Sequence, residues 1–165
     1  MEKDYAVLMI IVPTIRLAKI GDARRIAEMS RDEIEVGLAW TWTPERVRRS
    51  IRDRSTNVAV ALEGQVLVGF GIMHYGDDKA HLSLLAVSNA VREHGVGGHL
   101  LDWLEKCART AGLPRIELEV RADNGEALAF YGLRGYERFT TVHGYYQGRI
   151  DAFRLAKEFS PSAAE

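Results

Sequence analysis

The segment Arg92-Glu93-His94-Gly95-Val96-Gly97-Gly98 gathers the residue types from which an anion site is built. It stands directly before a run of apolar residues at helical spacing. Its backbone amides therefore fall at a helix N-terminus, where unpaired N–H groups and the helix dipole attract phosphate oxygens. Gly95 and Gly97 put no Cβ in the path of an approaching anion. Two readings fit these residues: a pyrophosphate cradle, or a glycine-rich turn that only caps the helix. The two commonest nucleotide loops are excluded. Leu100 stands where the dinucleotide fingerprint places its third glycine, and no Gly-Lys-Ser/Thr closes a Walker loop.

Other reactive residue types are scattered. His74, His81, His94, His99 and His143 have no Cys or carboxylate partners at metal-ligand spacing, so no metal site is expected. Cys107 falls on the apolar side of the long helical run and reads as core. As the single cysteine it cannot form an internal disulfide, which suits a reducing, cytoplasmic setting. With 22 Lys+Arg against 23 Asp+Glu, the net charge of −1 removes the electrostatic basis for binding nucleic acid or an anionic membrane. The apolar stretch 6–12 is too short to span a bilayer, and neither a signal peptide nor a membrane anchor is read. In Trp40-Thr41-Trp42-Thr43-Pro44 the two indoles either wall an acceptor site or anchor their loop on the core.

These groups need a scaffold, and 165 residues of 47% hydrophobic content suffice for one domain. Residues 15–18 read as a short strand. Asp22 is placed to cap a helix with Ala23, Ile26, Ala27, Ile34 and Leu38 on one face, ending near Gly37. Thr43-Pro44 opens a second helix with Val47 and Ile51 inward and Arg46, Arg48, Arg49 and Arg52 toward water. Residues 57–62 and 66–75 form a hairpin about Gly64, and Gly69 and Gly71 mark a bulge or a close backbone approach in its second strand. A third antiparallel strand follows at 80–87. The strongest helix, 95–111, carries Leu100, Leu101, Leu104 and Ala108 inward and stops at Gly112 and Pro114. A strand at 116–121, a short helix at 124–133 and strands at 136–142 and 149–157 complete an α+β chain, a mixed, mostly antiparallel sheet with about four helices. Residues 1–14 are expected to be an N-terminal extension or extra strand, 15–158 the domain, and 159–165 a disordered tail.

Read together, these motifs are identifiable. Arg92-x-x-Gly-x-Gly97 resembles the acetyl-CoA loop of GCN5-related N-acetyltransferases. Leu85-Ala86-Val87 precedes it as the cofactor strand does in that family, and Leu118 to Asn124, Phe130-Tyr131 and Gly135-Tyr136 resemble a second family signature. Order and spacing match from 15 to 157. Within the family, the Leu118 to Arg121 segment, Asn124, Tyr131 and Tyr145-Tyr146 are most similar to bacterial ribosomal-protein N-terminal alanine acetyltransferases.

The resemblance implies a splayed sheet and direct acetyl transfer from acetyl-CoA to a primary amine through a tetrahedral intermediate. The amine would be a protein N-terminus or a small molecule; a non-catalytic acyl-CoA-binding regulatory module is the alternative. Cofactor contacts are implied for Leu85, Ala86, Val87, Arg92, Glu93, His94, Gly95, Val96, Gly97, Gly98, Asn124 and Tyr131. Tyr131 matches the general acid that protonates the leaving thiolate, and also reads as an aromatic packed beside Phe130. Glu119 matches the base, acting directly or through water, and also reads as a strand carboxylate paired with Arg121 or a neighbour. Asn124 serves equally as a helix cap and as a pantetheine contact. Trp40, Trp42, Tyr145 and Tyr146 would contact the acceptor, although His143-Gly144 before the tyrosine pair and Gln147-Gly148 after it depart from the family pattern. No metal, nucleic acid or membrane is implied. The exposed strand edges of such a sheet suit a homodimer.

Overall fold

The computed structural model describes residues 11–160. Seven strands, β1 (Thr14–Leu17), β2 (Thr56–Glu63), β3 (Val66–Tyr75), β4 (Ala80–Val87), β5 (Arg115–Arg121), β6 (Glu137–Tyr146) and β7 (Ile150–Glu158), form one sheet in the order β1-β2-β3-β4-β5-β7-β6. Every neighbouring pair is antiparallel except β4 and β5. Helices α1 (Ala23–Glu33), α2 (Pro44–Arg52), α3 (Val96–Thr110) and α4 (Gly125–Leu133) cover its faces, giving the expected α+β arrangement.

On one face α3 supplies Leu100, Leu101 and Leu104, all fully buried, to a core shared with Leu118, Val120 and Leu155 of the second half of the sheet. Each such leucine contributes about 1.5–3 kcal/mol by leaving water. Gly69 and Gly71 let α3 come close. A Cβ on Gly71 would stand 2.6 Å from Leu104 Cδ1, and one on Gly69 2.9 Å from Leu100 Cδ1. On the other face α1 and α2 lay Ile26, Ala27 and Val47 over Val60, Phe70, Ile72, Leu84 and Ala86.

The feature that positions the site lies in the middle of the sheet. β4 pairs with β5 only from Ala80↔Ile116 to Leu82↔Leu118. At the next residue the β3–β4 register slips, Ile72 facing Leu84 while Met73 faces Leu82, so Ser83 is an extra residue. A bulge bends its strand and reverses which face later side chains take. Leu82 accordingly belongs to the α3 core and Leu84 to the α1 core. Beyond the bulge β4 and β5 diverge, opening a wedge between Ser83–Val87 and Glu119–Arg121.

Four expectations are corrected. α1 stops at Glu33 rather than near Gly37, because Ser30 O accepts both Ile34 N and Glu35 N and turns the chain. Asp22 does not cap α1 with its side chain; it accepts Lys19 N at 2.7 Å and Arg16 at 2.8 Å, closing a 3-10 turn ahead of the helix. Strand β6 runs on to Tyr146, so Tyr145 and Tyr146 end a strand rather than occupy a loop. Phe159 is not tail: it is buried, its N–H donates to Pro114 O at 2.8 Å, and Arg109 lies over its ring. The N-terminal extension is described only from Ile11, whose N–H donates to His94 O. The expected extra strand falls largely outside the described residues, as do 161–165.

Candidate active site

The wedge widens into a cleft of about 900 Å³. Its first wall is β4 past the bulge with the start of α3. Since β5 does not pair there, the β4 edge from Ser83 to Val87 presents peptide groups to the cleft. Gly95 turns the chain into α3 with a φ of +87°, a left-handed conformation that favours glycine. The first i→i−4 bond of the helix is His99 N to Gly95 O, which leaves the amides of Val96, Gly97 and Gly98 without intrahelical acceptors. Gly97 is close-packed: a Cβ there would meet Phe130 at 3.3 Å and Val87 at 3.4 Å. Arg134 stacks on Phe130 at 4.0 Å and lines the same wall. Arg92 is already engaged by Glu33 at the end of α1, whose other oxygen accepts Asn89 N at 3.2 Å.

The second wall is β5 with α4. The Asn124 side chain accepts Ala127 N at 3.1 Å, capping α4 while lining the cleft. Two turns on, Tyr131 is buried edge-on between Phe130 and Tyr136, with ring centroids at 5.1 and 5.5 Å. Burial drives the ionisation of its hydroxyl far above the usual phenol range. Tyr131 is thus a protonated phenol on the cleft wall.

Glu119 stands where β4 and β5 part. Its side chain is 8% exposed; Oε2 accepts His81 Nε2 at 2.6 Å and Oε1 accepts Arg154 Nε at 3.0 Å. Burial pushes this carboxyl up, but the bonds and charges of His81 and Arg154 outweigh it and hold Glu119 below the usual carboxylate range. The neighbouring Tyr145 hydroxyl is raised, chiefly by burial and then by the Glu119 charge. Arg121 is occupied elsewhere, by Asp123 and by the carbonyls of Ile34 and Val36.

The third side of the cleft is the α1–α2 connection. The buried Glu35 carboxylate gathers Ser30 Oγ, Thr41 N, Thr41 Oγ1 and Trp42 N, shaping this loop from within. Trp42 lines the cleft with Arg46 stacked on its ring at 3.7 Å. Among the described residues no group of three or more His, Cys, Asp or Glu is disposed to hold a metal, and no helix is long and apolar enough to cross a membrane.

The Acetyltransferase (GNAT) family matches residues 24–136. The chain belongs to this family. It is 31% identical over 129 residues to the [Ribosomal protein bS18]-alanine N-acetyltransferase of Escherichia coli (strain K12), covering 74% of this chain and 84% of that protein. It is 31% identical over 150 residues to the N-alpha-acetyltransferase RimI of Mycobacterium tuberculosis, covering 88% and 92% respectively. The crystal structure of the ribosomal-protein-S18-alanine N-acetyltransferase from Escherichia coli matches with a TM-score of 0.79 at 25% identity, over 93% of this chain and 97% of that one. As a GNAT member the chain is an N-acetyltransferase that moves acetyl from acetyl-CoA to a primary amine, and its cleft suits that co-substrate. An unpaired strand edge can meet the amides of an extended pantetheine arm, and a helix N-terminus without intrahelical acceptors can meet its phosphates.

Set on this GNAT framework, the residues singled out from the sequence divide as follows. Leu85, Ala86, Val87, Arg92, Glu93, Gly95, Val96, Gly97, Gly98, Glu119, Asn124, Tyr131, Trp42, Tyr145 and Tyr146 all line the cleft. His94 does not, and neither does Trp40, whose indole N–H donates to Ala27 O at 3.1 Å beneath Arg31. Trp40 anchors the loop, and Trp42 is the indole that faces the cleft. Arg46, read as a water-facing residue, lies in the lining instead, because Trp42 draws its guanidinium inward. Glu119 pairs with His81 and Arg154 rather than Arg121. The partnership with Arg154 follows from the Glu119↔Arg154 register of β5 and β7, which no local pattern displays. Glu33, Glu35, Arg134 and Gln147 also line the cleft without having been singled out there.

Proposed function

We propose that this enzyme acetylates the α-amino group of a protein N-terminus, with Glu119 managing the amine proton and Tyr131 supplying the proton to the departing thiolate. The observation that carries this reading is the buried Glu119 carboxylate at the divergence of β4 and β5, held ionised by His81 and Arg154. A carboxylate stabilised in this way is a weak base. It suits an α-amine of pKa about 7.7–8.0 far better than a lysine amine near about 10.4. Glu119 orders a water that takes the proton from the amine. His81, bonded to Glu119 and itself partly exposed, links that carboxylate toward solvent.

Acetyl-CoA lies against Leu85 to Val87 and over the loop from Arg92 to Gly98, its phosphates taken by the amides that open α3 and by Arg134. Arg92 contributes first by holding the loop to α1 through Glu33. Asn124 fixes the start of α4 beside the pantetheine arm, and Tyr131, whose ionisation is driven upward by burial, stays protonated throughout the working range. Trp42, Tyr145 and Tyr146 flank the entering terminus. The names of the similar proteins, which act on a ribosomal protein's alanine or on α-amines, support this acceptor class. With a ribosomal-protein-like acceptor the reaction would run in the cytoplasm. The catalytic unit spans residues 14–159, β1 through the docked Phe159. A non-catalytic acyl-CoA-binding module is not favoured, since it would need neither an ionised carboxylate nor a protonated phenol in the cleft.

The test is free-thiol release from acetyl-CoA with three acceptors: peptides with a free N-terminus, the same peptides formylated at the N-terminus but carrying lysine, and small alkylamines. Turnover is expected with the first set. Turnover confined to the lysine peptides or alkylamines would overturn the reading.

A further inference from the structure

Gln147 follows the tyrosine pair in the β6–β7 hairpin, where the sequence departs from the family pattern, and the catalytic reading gives it no task. Its side-chain amide makes two bonds across the cleft mouth to one residue of the α1–α2 loop. Ala39 N donates to Gln147 Oε1 at 3.0 Å, and Gln147 Nε2 donates to Ala39 O at 3.0 Å. Arg149 adds a bond to Gly37 O at 3.3 Å. The two loops, 108 positions apart in the chain at this contact, are strapped together there while the rest of the cleft stays open.

The chemistry of the strap resembles that of a peptide. When two antiparallel residues exchange both N–H···O bonds, each offers one N–H and one C=O. The primary amide of Gln147 offers the same pair to Ala39. The bonds are neutral and both residues are exposed, so breaking them costs little. The backbone of Gln147 is also unusual. Its φ is +57°, in the left-handed region that glycine prefers, between Gly144 at +65° and Gly148 at +69°. A glutamine here adopts a conformation that disfavours it, and its amide reaches Ala39.

We propose that the Gln147 amide stands in for the backbone of a peptide acceptor, pairing with Ala39 until the incoming chain replaces it. This rests on the N-terminal-acceptor reading above. An extended peptide entering past Trp42 and Tyr145 takes over the Ala39 pair as Gln147 swings out, so no bond is lost in the exchange. An amine without a following peptide group cannot make that exchange and gains nothing from Ala39. Gln147 is thus a specificity-determining residue: it competes for Ala39 only with acceptors that carry a backbone behind their amine.

The test compares an alanyl peptide with an analogue methylated on its backbone nitrogens beyond the first residue, which keeps the α-amine but cannot donate to Ala39 O. Gln147→Ala keeps a Cβ and removes only the amide. It should lower KM for the ordinary peptide about 5-fold, the equivalent of about 1 kcal/mol of displaced competitor. The methylated peptide should not share the gain. Gln147→Gly, which suits the left-handed backbone and protects the fold, should behave the same way. An unchanged or raised KM for the ordinary peptide in either folded variant would overturn the proposal, as would an equal gain with the methylated one. If the wild-type enzyme acetylates neither peptide but does acetylate lysine or alkylamines, the acceptor reading fails first, and that outcome is distinct from a KM that does not move.

Discussion

Replacing Glu119 by glutamine keeps the shape of the side chain and an acceptor for Arg154 while removing the only charge that His81 and Arg154 share. Two consequences follow, with opposite pH dependence. The stability term comes from a carboxyl whose folded pKa lies below its unfolded value, so the wild-type advantage is full at neutral pH and is lost as pH falls through the lowered native pKa. Both partners are about a third exposed, which screens the pair, and the expected loss at pH 7 is about 1–2 kcal/mol. The gap between the two proteins should close in acid. The catalytic term runs the other way. With the carboxylate in place, kcat/KM for an alanyl peptide should stay level well below the amine pKa, since a protonated amine can be relieved in the site. Without it, only amine already neutral in solution reacts. For an α-amine of pKa near 7.8 that fraction falls about 40-fold between pH 8 and pH 6, and the mutant-to-wild-type ratio should fall with it. Thiol release across pH 5.5–9, beside thermal unfolding of both proteins, measures the two terms separately. Parallel pH–rate curves displaced by a constant factor would refute the proton role and leave Glu119 as a positioning group.

Tyr131→Phe should lower kcat by about 10- to 1,000-fold with little change in acetyl-CoA affinity, because only the hydroxyl is removed from an otherwise intact aromatic cluster. An unaltered kcat with acetyl transfer shown to be rate-limiting would assign this residue to packing. Gly97→Val places branched carbon where even a Cβ meets Phe130 and Val87 within 3.4 Å, and should weaken acetyl-CoA binding by at least about 1–2 kcal/mol. Calorimetry showing wild-type affinity in a folded variant would remove the loop from the site.

What could be read from sequence was local. The α3 stripe of leucines, the Gly95 turn and the Asn124 cap each depend on residues within a few positions of one another, and they lie close to where spacing placed them. Relations between distant segments were not legible. Leu82, Leu84 and Ala86 look like one alternating face, and only pairing with β3 reveals the extra residue at Ser83 that divides them between two cores. Helical periodicity sent Arg46 to water because it cannot register an indole four residues earlier, in the preceding loop. Glu33 with Arg92, Glu119 with Arg154 and Ala39 with Gln147 are pairs made by tertiary approach across 59, 35 and 108 positions.

The parting of β4 from β5 also bears on how the molecule yields. The hydrogen-bonded layer is interrupted along that line, yet the apolar layer beneath it is continuous, with Leu100 and Leu104 of α3 in the same core as Leu118 and Val120. The wedge therefore behaves as a crease over an intact spine. It can flex without breaking a ladder bond and without wetting the core. Peptide hydrogens of Ser83 to Val87 that point into the crease should trade with solvent as quickly as those of a surface loop, although they sit at the centre of a seven-stranded sheet. A ligand lying along the crease would act as a missing strand and stiffen both halves together.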